Sequence, residues 1–344
     1  MSANLELVLL PVLMSAVLVA ALGLLQRAAL VGKSVALFQA CAYTAATVSF
    51  VGLYLVWWGP VWPMQLKDGF WRAACAAGAI NVFIQFLHAK SLTYKAGEVS
   101  LVTLLSAMTP GLVTLLALTL GEVPGWAGVV GIACMVAGSW VILTKERPEH
   151  WWGYLRPFKI LTLYLNYDTL SDKDRDKAKV IGFAFGSALL STFGLLFVGL
   201  YVRRAGDFQG IWAATIVNSA IVSAAFVLLN LRSARAHAGE WSGQWHLFAL
   251  AIAGYAALLV GANYLEVPAF GETYVAYVGP LNRSRILFSI VMVWALYRMG
   301  FSLFGEEDLK KRFVAAVIII AGATLIASEG LPTRLTDKLA FFGF

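Results

Sequence analysis

Two arginines interrupt an apolar run late in the chain, and the cost of placing them in a membrane makes them the first residues to explain. Arg283 and Arg285 lie in the stretch from Thr273 to Tyr297, as part of Asn282-Arg283-Ser284-Arg285. The apolar part that follows, Ile286 to Tyr297, is too short to cross a bilayer, so a spanning helix has to begin near Thr273. That start places Arg283 about ten residues in, roughly 15 Å along the axis and near the bilayer midplane. An arginine there costs on the order of 2.5–3.5 kcal/mol even on the lenient insertion scale, so it must face a partner or a water-filled cavity. A guanidinium grips a carboxylate or phosphate through two hydrogen bonds, which is the chemistry of an anion-recognising substrate site. The alternative is a structural ion pair inside the bundle. Two positions on a helix differ by about 200°, so Arg283 and Arg285 face different ways. Arg283 is the leading candidate for substrate contact, with Asn282 beside it.

Carboxylates come next. Glu98 and Glu272 each follow a glycine and open an apolar run. Either could couple transport to protons, and a glutamate at a helix N-terminus is equally explained by the helix dipole. Glu272 and Arg283 share a helical face but stand about 16 Å apart along it, too far to pair directly. Further polar residues in apolar runs are Gln39, Tyr43, Asn81, Gln85, His88, Asn218 and Asn263. Asn81, Gln85 and His88 are spaced i, i+4, i+7 and form one stripe, which either lines a cavity or holds helices together. Asn81, Gln85 and Asn263 are the candidate polar lining of the site. His88, near the end of its run, reads as an interfacial residue and not as a metal ligand.

Other chemistries find no support. Cys41, Cys75 and Cys134 all fall in apolar runs and lack zinc-ligand spacing, so neither a disulfide framework nor a metal site is expected. Asp172, Asp174 and Asp176 resemble the start of a calcium loop, but the glycine of the sixth position is missing and Phe183 stands where the closing glutamate belongs. There is no P-loop, HExxH or GxSxG in catalytic context, so the chain reads as no enzyme and no cofactor is implied.

These residues need helices to position them. Of the 344 residues 60% are hydrophobic and 13% charged, with a mean hydropathy of +0.76, and soluble domains are nearer a quarter charged. The pattern predicts an all-α polytopic membrane protein of ten transmembrane helices, at about 5–25, 34–56, 70–89, 99–120, 124–144, 180–201, 208–230, 245–265, 273–297 and 313–328. Gly97-Glu98 matches Gly271-Glu272 at an offset of 174, while Gly121-Glu122 matches Gly305-Glu306 and Gly138 matches Gly322 at an offset of 184. Each of these runs also carries a proline, Pro110 or Pro280. The matches fall on spans four and five, then nine and ten. Five spans per copy is odd, so the two copies run oppositely through the bilayer, as two inverted five-helix repeats.

The expected organisation is a first repeat over 1–144, a polar and amphipathic linker over 145–179, a second repeat over 180–328 and a tail over 329–344. Tryptophans such as Trp57, Trp58, Trp151 and Trp245 fall near span ends, as in an aromatic belt. Eighteen lysines and arginines fall in the odd-numbered loops against six on the other side, which places both termini outside the cytoplasm. The net charge of +7 therefore sets topology and does not suggest nucleic-acid binding.

The two copies, Gly97-Glu98 with Pro110, Gly121-Glu122 and Gly138, and Gly271-Glu272 with Gly305-Glu306 and Gly322, resemble the EamA-type repeat of the drug/metabolite transporter superfamily. The resemblance covers nearly the whole chain and implies two inverted five-helix repeats around a central cavity lined by spans three, four, eight and nine. It departs at Asn282 to Arg285, and members usually keep both termini in the cytoplasm, against the charge count here. The expected function is a secondary transporter of small organic metabolites bearing a carboxylate or phosphate, by alternating access, in a cell inner membrane. Its expected partners are that small-molecule substrate and the lipid bilayer, with a homodimer or a protein partner left open. The alternatives are a flippase for a lipid-linked intermediate and a non-transporting membrane subunit of a larger complex.

Overall fold

The computed structural model describes residues 2–61, 63, 66–94, 97–106, 109, 112, 125–143, 171–231, 237, 239–272, 284–301 and 309–328. Ten helices follow one another among them: α1 (Ser2–Leu30), α2 (Val35–Trp58), α3 (Phe70–Thr93), α4 (Val99–Ser106), α5 (Trp126–Leu143), α6 (Asp172–Arg204), α7 (Phe208–Asn230), α8 (Trp245–Glu272), α9 (Arg285–Arg298) and α10 (Leu309–Ser328). The described residues contain no strand. Six helices are long and apolar enough to cross a membrane, over Leu10–Leu30 in α1, all of α2, α3 and α7, Asp174–Val202 in α6 and Trp245–Glu266 in α8. A shorter apolar stretch, Trp126–Gly138, lies in α5. Large apolar side chains point outward along the long helices, as at Leu10, Val56, Leu228 and Leu250. Water would penalise such a surface and lipid does not, so the chain is a multi-pass helical membrane protein.

Helix ends differ from the sequence expectation wherever a polar residue is used inside the fold. Helix α1 runs past residue 25 because Arg27 is buried, its Nη1 donating to the carbonyls of Leu92 at 2.6 Å and Tyr94 at 2.5 Å. It thereby satisfies carbonyls that the C-terminus of α3 leaves open. Helix α6 begins at Asp172, inside the stretch expected to be linker. There the Ser171 hydroxyl accepts from the Asp174 backbone N–H at 3.3 Å, while Asp172 and Asp174 occupy the first turn at the positive end of the dipole. Helix α10 starts at Leu309, so Arg312, expected in a loop, is helical. The linker over 145–170, the tail over 329–344, Gly121-Glu122, Gly305-Glu306, Pro110 and Pro280 lie outside the described residues.

The most extensive pairings are α3 with α6, α5 with α10, α2 with α7 and α1 with α8. Next come α3 with α7, α2 with α8, α1 with α9, α4 with α6 and α4 with α9. Lipid tails are as apolar as leucine, so such contacts depend on close packing and on polar groups that find each other. Helices α2 and α7 use both: Thr44 and Ser223 hydroxyls lie 2.6 Å apart, those of Thr47 and Ser219 2.7 Å, and Trp212 donates to the Phe50 carbonyl at 3.1 Å. Helices α5 and α10 use small residues. A Cβ on Gly138 would stand 2.6 Å from Ile319 Cγ1 and 2.9 Å from the Ala315 carbonyl oxygen. A Cβ on Gly322 would stand 2.6 Å from the Gly131 carbonyl oxygen and 3.0 Å from Met135 Cγ.

Candidate substrate site

Five of these helices bring polar and titratable groups together. Ser15 of α1 donates from its hydroxyl to Glu266 Oε2 of α8 at 3.3 Å. Glu266 interacts electrostatically with the Arg285 guanidinium at the start of α9, and Arg285 in turn with His88 of α3. Tyr201 of α6 also feels the Glu266 carboxylate. Glu266, Arg285 and His88 are half-buried, yet Arg285 Nε is sealed from solvent and has no hydrogen-bond partner among the described residues.

The helix register explains the meeting. Gly254 and Gly261 of α8 face Leu25 and Leu18 of α1, so the two helices run antiparallel and Glu266 reaches Ser15. Val293 of α9 shares an apolar cluster with Leu24 of α1. Arg285 lies eight residues before Val293, about 12 Å at 1.5 Å per residue, which on a helix parallel to α1 is the level of Ala16. That is one residue from Ser15, so Arg285 and Glu266 face the same layer of the bundle.

The residues singled out from sequence fare differently. Arg283 and Asn282 lie outside the described residues, as does the side chain of Glu272, the last residue of α8. Asn81 donates to Asn218 of α7 at 2.8 Å and accepts from Gln85 at 3.2 Å, so the stripe on α3 is tied across to the second half of the chain. Asn263 donates to the Leu259 carbonyl at 2.8 Å, within its own helix. It stands three residues before Glu266 and so shares its face. Glu98 forms an ion pair with Arg312 of α10, and Arg312 Nη1 also donates to the Ser100 hydroxyl at 2.5 Å. Gly97 sets Glu98 in place: a Cβ there would come within 2.2 Å of the Ser91 carbonyl oxygen. Among the described residues no group of histidines, cysteines and acids could hold a metal ion.

Two charged participants escaped the sequence reading, as did Ser15 and Tyr201. Glu266 had a signal, its i, i+3 spacing from Asn263 in an otherwise apolar helix. Arg312 had none, because Lys310-Lys311-Arg312 reads as an ordinary charged loop.

No family model matches the chain, and no curated protein does. In fold it is similar to a solved structure known as "Crystal structure of protein", with a TM-score of 0.52 and 14% identity over 97% of each chain. At that identity the likeness concerns the fold alone, and it extends over nearly the entire length of both chains.

Proposed function

We propose that the chain is a secondary transporter of the EamA type, in the drug/metabolite transporter superfamily. It moves small organic metabolites bearing a carboxylate or phosphate across a cell inner membrane by alternating access. The observation that carries the reading is Arg285: a half-buried guanidinium in a membrane bundle, with an Nε that is sealed and unpartnered among the described residues. An unsatisfied charged donor in low dielectric is costly, and an anionic substrate group supplies what it lacks.

What supports ten spans in two inverted repeats is the pattern of pairing. Exchanging helix n for helix n+5 turns α1 with α8 into α6 with α3, α3 with α7 into α8 with α2, and α1 with α9 into α6 with α4. It returns α2 with α7, α4 with α9 and α5 with α10 to themselves. The glycine contacts repeat the relation residue by residue: Gly138 meets Ala315 and Ile319, Gly322 meets Gly131 and Met135, and each pair of equivalents is offset by 184.

The test is uptake into sealed proteoliposomes across organic acids, sugar phosphates, amino acids and cationic drugs, with wild type beside Arg285→Ala and Arg283→Ala. Uptake of an acid-bearing solute that Arg285→Ala loses, with that variant still folded, is the expected result. Transport of nothing in the panel, or equal transport by wild type and Arg285→Ala, sinks the reading. A second reading, the flippase, draws on a groove of about 490 Å³ between α2 and α7, lined by residues including Cys41, Thr44, Val227 and Asn230.

A further inference from the structure

We infer that the α1–α2 turn is a stopper over a polar passage into the bundle, and that Gln26 and Gln39, sealed beneath it, take up water when it lifts. The inference rests on the transporter reading and assigns one of its gates.

Gln26 and Gln39 are fully buried, and neither amide has a hydrogen-bond partner among the described residues. Polar side chains elsewhere in the bundle find each other, as Thr47 does Ser219 and Asn81 does Asn218. The two glutamines belong to one layer. Gln26 stands four residues before the end of α1 and Gln39 four residues after the start of α2, each about 6 Å in from the turn. Their chain neighbours meet consecutive residues of α8: a Cβ on Gly254 would stand 3.1 Å from Leu25, and the rings of Phe38 and Tyr255 have centres 5.7 Å apart. Both amides also face inward. Ala29 and Leu30, on the face of Gln26, are buried, as are Val35, Ala42 and Tyr43 on the face of Gln39.

The turn closes this layer from two sides. Towards α3, Arg27 donates to the Leu92 and Tyr94 carbonyls and the Gly32 backbone N–H to the Thr93 carbonyl at 3.1 Å. Towards the loop between α7 and α8, the Ser34 backbone N–H donates to Glu240 at 2.6 Å and Lys33 Nζ to Gln244 at 3.0 Å. Below the turn α1 packs chiefly on α8 and α9, and α3 on α6 and α7, so the tip joins helices that hold each other only weakly.

A buried amide without a partner bears the full desolvation of its polar atoms. The sealed layer is therefore unfavourable for both side chains, and water admitted by an opening satisfies both. Amides suit such a passage because they donate and accept hydrogen bonds without placing a charge in the path. Ala89 of α3 shares an apolar cluster with Leu30 and Phe38. Inward from it along α3 come His88, Gln85 and Asn81, the polar stripe on which the passage continues.

The test uses the full chain with Cys41, Cys75 and Cys134 replaced by alanine, in phosphatidylglycerol nanodiscs. Single cysteines are placed by Gln26→Cys, Gln39→Cys and, as a buried control in another apolar cluster, Ala213→Cys. The probe is a trimethylammonium methanethiosulfonate, which travels through water and reacts with the ionised thiol. Gln26→Cys and Gln39→Cys should label at least tenfold faster than Ala213→Cys. Glu240→Ala with Gln244→Ala frees the turn and should raise both rates at least fivefold further. Absence of labelling at both glutamine positions in folded protein overturns the inference by making the amides structural. Equal labelling of the control, or rates that ignore the freed turn, overturns it as well. Radiolytic oxidation of the unsubstituted chain decides the matter where a cysteine variant does not fold: Tyr43, one turn from Gln39, should be oxidised faster than Phe50, buried on the same helix. Equal oxidation of the two overturns the inference. Solute uptake by wild-type proteoliposomes without either signal removes the stopper and keeps the transporter. Both signals in a protein that transports nothing keep the stopper and remove the function beneath it.

Discussion

The two ends of the bundle are held together by different chemistry. At the end carrying the α1–α2 turn, the contacts are charged. Arg312 pairs with Glu98, Arg27 closes the last turn of α3, and Lys33 stands 3.3 Å from the centre of the Trp241 ring while donating to Gln244 at 3.0 Å. Beside it the Ser34 backbone N–H donates to Glu240 at 2.6 Å. At the other end, where α2 gives way to α3 and α6 to α7, the contacts are aromatic and neutral. Trp57 packs on Trp212 at 5.2 Å and Tyr264 at 5.4 Å between ring centres, and Trp58 on Phe208 at 5.6 Å. The Tyr54 hydroxyl donates to the Val61 carbonyl at 2.6 Å and accepts from Gln209 at 2.9 Å. The difference teaches where each end is vulnerable: a charged contact concentrates its effect in one residue, whereas a cluster of rings spreads it over many.

The largest expected effect is at the charged end. Arg312→Ala leaves Glu98 without the cation beside it, and breaking a buried pair from one side costs about 3–5 kcal/mol. Thermal unfolding in detergent should show it, with Glu98→Gln in the same chain restoring part of the loss. A double variant as unstable as the single one would mean that packing, not charge, ties α4 to α10.

Away from both sets of end contacts, Gly138→Val and Gly322→Val should each cost about 1–3 kcal/mol by overpacking the α5–α10 crossing. The two losses should be similar if the crossing is two-fold symmetric. A large loss at one glycine and none at the other would break the equivalence of the two copies.

At the aromatic end Tyr54→Phe should cost about 2 kcal/mol, because the hydroxyl makes two hydrogen bonds, each worth about 1 kcal/mol net. The surrounding rings stay packed, so the melting transition should shift without broadening. A loss as large as that of Arg312→Ala would erase the contrast between the ends.

The smallest effect is expected at Lys33. Lys33→Met removes a partly exposed cation–π contact worth about 0.5–1 kcal/mol. Burial lowers the pKa of this lysine and Glu240 opposes the shift, so the charged form is the one the fold penalises. Stability should therefore rise slightly as pH climbs through that lowered value toward 10.5, and the rise should vanish in Lys33→Met. The same rise in the variant would assign it to another group.

Much of the plan was legible in the amino-acid sequence, but unevenly. The ten apolar runs anticipated helices α1 to α10 in order, because a segment in lipid must satisfy its own backbone and so announces itself by length and composition. The helix ends were less legible where Arg27, Asp172 and Arg312 lie within helices, since a charged residue in sequence looks the same in a loop and at a buried cap. The polar stripe of Asn81 and Gln85 was visible as a face, whereas its partner Asn218 was seen only as one more buried amide. Glu98 was visible as a carboxylate with two readings, and the structure added a third, an ion pair with a helix 214 residues away.

The sequence by itself determined that the chain is helical, that it belongs in a membrane and that it carries arginines too costly to be incidental. Those are local properties, fixed by the hydropathy and spacing of neighbouring residues. Tertiary structure alone decided which polar and charged groups meet: Ser15 with Glu266, Glu266 with Arg285, Arg285 with His88 and Glu98 with Arg312. The physical reason is that each helix offers several faces, and the face that meets another is chosen by packing along its whole length, at glycines such as Gly138, Gly254 and Gly322.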